Sequence, residues 1–238
     1  MTADPLVLTA EVNRATDRLL KTAQALDGPA VDGPSLLPGW SRGHLLTHLA
    51  RNAEGLTNLL TWARTGVRTP QYPSAERRDA DIAEGAGRTG DELVADLGTA
   101  CSRFAAAADA MPADAWTVQI DLSSGPQPAA RVVWRRLREV EVHHVDLDAG
   151  YRPADWPEAF AHRLLHEVVS GFRGRDDAFP LVLRGTDLSH ELTVGEPEGA
   201  PTVSGPAYAL AGWLTGRAAG AELTITPEGP LPAPPEWI

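Results

Sequence analysis

The chain has 238 residues, enough to bury one large core or two modest ones without disulfide or metal staples. Its 21 basic and 32 acidic residues give a net charge of −11, which excludes a nucleic-acid or anionic-membrane surface as the main partner, since both require a positive footprint. A single cysteine, Cys101, cannot close an internal disulfide, and there is neither a secretory leader pattern nor an apolar run of roughly 18 residues, so a cytoplasmic protein that handles small molecules is expected.

Leu8, Val12, Ala15, Leu19, Ala23 and Leu26 recur three or four residues apart and predict a first helix over 5–26, stopped at Asp27-Gly28-Pro29. A loop with Gly33, Pro34, Pro38 and Gly39 leads to Ser41, an N-cap for a second helix over 42–65 striped by Leu45, Leu49, Ala53, Leu56 and Leu60. Residues 75–83 suit a short polar helix. Thr89 and Glu92 form a capping-box pattern that opens a third long helix, with Leu93, Leu97, Cys101, Phe104, Ala108 and Met111 on one face up to Pro112. Trp116 to Leu122 reads as an extended piece, Ser123-Ser124-Gly125-Pro126 as a turn, and 129–148 as a fourth long helix ending before Gly150.

Four long amphipathic helices predict an antiparallel bundle, a core in which facing side chains assemble metal sites. Pro153 and Pro157 break the pattern, so residues 1–152 are expected to form the helical domain and 153–238 a second one. There, a helix over 157–172, strands at 181–183, 191–194, 201–204 and 223–225, and a helix over 206–216 predict a small α+β unit. The proline-rich tail, Pro230 to Ile238, offers Trp237 as a docking residue.

Glu139 and His143 stand four apart on the fourth helix and project from one side of it. With His48, beside the apolar stripe of the second helix, they make three ligands, and three ligands plus an open position form a catalytic site for zinc or a similar divalent ion. Spacing alone equally allows Glu139 to pair with Arg135 and His143 to be an ordinary half-buried imidazole. His44, four residues before His48, competes as a ligand but lies in the first helical turn, near Ser41. Glu141 and His144 are not assigned inward, and Asp146 is either an acceptor for a ligand imidazole or a surface carboxylate. Cys101 reads as a buried structural thiol, His162 and His166 as surface residues, and Gly171 to Arg175 as a loop, not a phosphate cradle.

Several motifs in order carry a resemblance over nearly the full length: Leu37-Pro38-Gly39-Trp40-Ser41-Arg42-x-His44-Leu45-x-x-His48, Asn58-Leu59-Leu60-x-Trp62-Ala63-x-Thr65-Gly66 and Arg138-Glu139-Val140-x-x-His143-x-Val145-Asp146-Leu147. Val203-Ser204-Gly205, Gly216-Arg217 and Pro234-Pro235-x-Trp237 complete it. The chain resembles the mycothiol-dependent maleylpyruvate isomerases of the DinB-like superfamily of metal-binding four-helix bundles. The resemblance implies a DinB-like bundle followed by a small C-terminal α+β domain, with zinc or another divalent metal on His48, Glu139 and His143 and water completing the coordination. It further implies that Arg217 reaches from the C-terminal domain toward the metal and is needed for activity, binding a substrate carboxylate; its alternative role is to satisfy carbonyls at a helix end. The implied reaction converts maleylpyruvate to fumarylpyruvate in gentisate breakdown, with the thiol mycothiol as cofactor, by thiolate addition, bond rotation and elimination. Two alternatives stay open: a mycothiol S-transferase acting on another electrophile, and a metal-binding bundle without catalysis. The mycothiol-binding residues and the oligomeric state are left unassigned.

Overall fold

The computed structural model describes residues 4–26, 28–122 and 125–237, so the expected helix stop at Asp27, the turn positions Ser123 and Ser124, and the terminal Ile238 lie outside the described residues. The chain divides into two compact units, Met1–Gly150 and Tyr151–Ile238.

In the first unit, α1 (Pro5–Gln24) starts at Asp4, whose side chain accepts from the Leu6 amide, and buries Leu8, Val12, Ala15, Leu19 and Ala23. It ends one half-turn short of Leu26, and the expected loop after it contains a single turn of helix, α2 (Gly28–Asp32). Next, α3 (Arg42–Thr65) is capped by Ser41 at one end and Gly66 in the left-handed conformation at the other. Its Leu45, Leu46, Leu49, Leu56, Leu59 and Leu60 are fully buried, each contributing about 1.5–3 kcal/mol of apolar burial. The short α4 (Ala75–Gly85) follows, and then α5 (Gly90–Asp109), opened by the Thr89–Glu92 capping box. Trp116, expected in an extended piece, lies instead in a 3-10 turn (Ala113–Thr117); only β1 (Gln119–Leu122) is extended, and it pairs antiparallel with β2 (Gly125–Pro128). Two prolines in β2 hid this hairpin, since proline reads as a strand breaker yet is tolerated on an edge. The last helix of the unit is α6 (Arg131–Asp146).

Both α1 and α3 pack against α5 and α6, which makes a four-helix bundle. Its helix directions correct the antiparallel expectation. Arg18 pairs with Glu141 and Thr22 with His144, so α1 and α6 run the same way. Gly43 lies beside Leu93 and Arg51 bonds Asp96, so α3 and α5 also run together. His48 and Asn52 meet Glu139 and Arg136 in the opposite sense, which sets the two pairs against each other. Because α3 has 24 residues and is about 36 Å long, the chain must travel back along it before α5 can begin. The segment carrying α4 does this, placing Tyr72 beside Gly55, Arg78 beside His48, Gly85 against Thr47 and Ala86 against Gly43.

The second unit begins with a 3-10 turn (Pro153–Asp155) and α7 (Glu158–Phe172). Strands β3 (Leu181–Gly185), β4 (Leu192–Val194), β5 (Thr202–Gly205) and β6 (Thr224–Thr226) form one sheet in the order β4-β3-β5-β6, with β3 and β5 parallel and the outer pairs antiparallel. Between β5 and β6, α8 (Ala207–Leu214) packs on α7. The tail lies on this unit: Arg175 donates to the Glu236 carbonyl at 2.9 Å, and the Trp237 ring lies 5.7 Å from the Arg217 guanidinium. This is the α plus α+β architecture expected from sequence. Among the described residues no helix is long and apolar enough to cross a membrane.

The return segment fits closely against α3 because small residues face it. A Cβ at Gly43 would collide with the Ala86 carbonyl, whereas one at Gly98, inside α5, would meet nothing within 4 Å. Gly43→Ala should therefore destabilise the fold by about 1–3 kcal/mol in urea unfolding. Gly98→Ala should stabilise it by about 0.5–1 kcal/mol in the same experiment.

Candidate metal centre

Two helices build the cluster. Ser41 caps α3, and its backbone amide and hydroxyl both meet Nδ1 of His44, at 3.3 and 2.8 Å. That bond holds His44 at the helix start, and among the described residues His44 is not one of the groups whose ligand atoms converge. One turn later, His48 is buried and faces α6, where Glu139 and His143 come round on successive turns. Nε2 of His48 lies 3.0 Å from Oε2 of Glu139, and Nε2 of His143 lies 3.5 Å from the same oxygen. One ligand atom from each of the three residues falls within 4.8 Å of the others. The two imidazole rings stand perpendicular with centroids 4.8 Å apart, and Trp40 packs edge-on against His48 at 5.5 Å.

Asp146 fixes the ring of His143, accepting from its Nδ1 at 2.8 Å and leaving Nε2 turned toward Glu139. Burial disfavours charge on His143, yet the hydrogen bonds to Asp146 and Glu139 outweigh it and raise this imidazole above the usual histidine value. Burial also pushes Glu139 upward, but bonds from His143 and His48 prevail and hold its carboxyl well below the ordinary range. For His48 burial is the larger effect, and its pKa is lowered despite the Glu139 hydrogen bond. The cluster thus presents an ionised carboxylate and two oriented imidazoles.

The register of α3 against α6 is set by two arginines. Near the start of α3, Arg42 donates to the carbonyls of Leu147 and Asp148 at 2.8 and 3.0 Å, closing the end of α6. On the other side of the cluster, the fully buried Arg136 donates from Nη1 to the Leu49 carbonyl at 2.9 Å and to Oδ1 of Asn52 at 2.8 Å. Its Nη2 reaches Sγ of Cys101 on α5 at 3.2 Å, so the lone cysteine is a buried structural thiol.

Two residues not assigned inward are among the most buried on α6. Glu141, 1% exposed, pairs with Arg18 at 2.6 Å, and His144 meets the Thr22 hydroxyl at 2.8 Å. They face α1, while Glu139 and His143 face α3: α6 has two buried sides, and only one holds the cluster. Arg136 itself was missed, although its place between Val133 and Val140 on the apolar stripe marks an arginine that points inward. Arg78, which reaches His48, and Tyr72, whose ring lies against Arg78, were missed as well, because only the return path of the chain brings them there.

The family model for the mycothiol maleylpyruvate isomerase N-terminal domain matches residues 12–148, and the model for the C-terminal domain of the same family matches residues 155–236. The chain belongs to the mycothiol maleylpyruvate isomerase family. Two solved structures, the mycothiol-dependent maleylpyruvate isomerase and a histidine-to-alanine variant of it, are each 29% identical to this chain, with a TM-score of 0.91 over 98% of this chain and 97% of theirs. No curated protein sequence matches. Within this member of the family, Arg217 lies just beyond α8, where its Nη1 donates to the Thr215 carbonyl at 2.6 Å and its guanidinium stacks on Trp237. In the second unit, His162 is half-buried and pairs with Asp187 at 3.2 Å, while His166 is exposed beside His190.

Truncating Arg136 removes every one of its bonds and leaves a void in the bundle. Arg136→Ala should destabilise the fold by about 3 kcal/mol or more in urea unfolding. A change below about 0.5 kcal/mol, the size seen at surface positions, would remove Arg136 from this account.

Proposed function

We propose that this protein is a mycothiol-dependent maleylpyruvate isomerase, converting maleylpyruvate to fumarylpyruvate in the cytoplasm, with one divalent ion held by His48, Glu139 and His143. The reading is carried by the convergence of two imidazole nitrogens and one carboxylate oxygen on facing helices in a member of this family. Two nitrogens and one oxygen, with a position left open, are the donor set of catalytic zinc, which is the proposed ion. Ligand atoms at about 2.0–2.1 Å around a tetrahedral ion lie about 3.3 Å from one another. The separations from Glu139 to the two histidines here, 3.0 and 3.5 Å, fit that spacing. Bound there, a divalent ion supplies Lewis acidity and lowers the pKa of a thiol or water presented to it.

The chain itself supplies orientation and charge. Asp146 holds the proton on Nδ1 of His143 and so keeps the Nε2 lone pair directed at the cluster. Glu139 is kept ionised by its two histidine partners. Cys101 is buried against Arg136, which leaves mycothiol as the source of the reacting sulfur. The proposed sequence of thiolate addition, rotation and elimination returns the thiol, so mycothiol is recycled. Arg217 is proposed to serve turnover by binding a substrate carboxylate, for which its two-pronged guanidinium is suited.

Metal-loaded protein with mycothiol should convert maleylpyruvate to fumarylpyruvate with no net loss of thiol. Consumption of mycothiol one for one would favour S-transfer, and absence of conversion would reject the reading. His48→Ala and Glu139→Ala should each lose the bound ion in elemental analysis while the circular dichroism spectrum is kept. Arg217→Lys should retain metal and Tm yet lower kcat about tenfold or more, because lysine lacks the fork. Near-normal turnover would remove Arg217 from the mechanism.

A further inference from the structure

We propose that Arg78 is a carboxylate-binding residue of the metal-ligand cluster, taking one carboxylate of the substrate. The inference deepens the isomerase reading, from which it takes the identity of that substrate. Arg78 belongs to α4, on the segment that returns along α3, and its Nη2 lies 3.3 Å from Nδ1 of His48. Its guanidinium lies 5.9 Å from the Tyr72 ring, a cation–π contact that orients it beside the cluster. The side chain is 31% exposed, so a small anion can reach it. Its ionic partner is the adjacent Asp79, itself 64% exposed, and such a surface pair contributes less than about 1 kcal/mol. A carboxylate ligand can therefore displace it.

Charge balance favours the same assignment. Glu139 and Asp146 put two carboxylates at the cluster, and a divalent ion offsets both. Arg78 then adds a positive charge beside the site in a chain of net charge −11, which otherwise repels a dicarboxylate. The contact with His48 is also provisional. Here Nε2 donates to Glu139 and Nδ1 accepts from Arg78. An imidazole that gives its Nε2 lone pair to a cation carries its proton on Nδ1 and is a donor there. Arg78 then loses that acceptor, and its fork is left for an anion.

The test uses full-length, metal-loaded protein and maleate as a dicarboxylate probe, with affinity read by calorimetry. Arg78→Gln should weaken maleate binding about tenfold while metal content and Tm stay at the wild-type level, and Arg78→Lys should recover part of the loss. In turnover the same variant should raise KM for maleylpyruvate more than it lowers kcat. Unchanged maleate affinity, loss of the metal from Arg78→Gln, or no maleate binding by the wild type would each overturn the proposal. Binding needs no turnover, so wild-type protein that binds maleate through Arg78 but does not isomerise maleylpyruvate would sustain this inference and defeat the isomerase reading.

Discussion

A guanidinium with no exposure to water, on Arg136, joins three of the four bundle helices and fixes where the other polar residues meet. Removing such a group from water costs several kcal/mol unless its donors are satisfied. Nη1 and Nη2 find the Leu49 carbonyl, Asn52 and Cys101, while Nε has no acceptor among the described residues. The partners of Nη1 both follow His48 within about one turn of α3, and Arg136 itself lies one turn before Glu139. A slip of one turn between α3 and α6, about 5.4 Å, would strand this charge in the core. The same slip would separate His48 from Glu139. The register that satisfies the buried arginine is thus the register that assembles the cluster, and Arg42 holds it from the other end.

Helix direction does the rest. With α3 and α5 parallel, the connection between them has to run the length of α3, and it becomes a wall beside His48 instead of a distant loop. Gly43, Gly55 and Gly85 let that wall approach. An antiparallel bundle with short loops would leave His48, Glu139 and His143 able to meet, yet without Tyr72 and Arg78 next to them.

Much of this was legible in the residues. Periodicity gave the long helices within a few residues, because each buries a clear apolar stripe, and Ser41 and Thr89 marked two helix starts by their capping chemistry. His48, Glu139 and His143 could be picked out since helical spacing alone puts Glu139 and His143 on one side. The direction of α5 was not legible, as an amphipathic pattern reads the same either way along the chain. Arg78 was hidden for that reason. Glu141 and His144 were misjudged because a central helix has two buried sides, and polar residues on the second are paid no heed by a hydrophobic count. Their partners, Arg18 and Thr22, lie more than a hundred residues away and become visible only in the folded chain.

We propose that one ion on His48, Glu139 and His143 makes this bundle a thiol-dependent isomerase. Titrating metal-stripped protein with zinc while following maleylpyruvate isomerisation in the presence of mycothiol tests it most directly. The account predicts activity that rises linearly and levels off at about one equivalent, as a single three-ligand site requires. Full activity in the stripped protein, or none at saturating zinc, would contradict it.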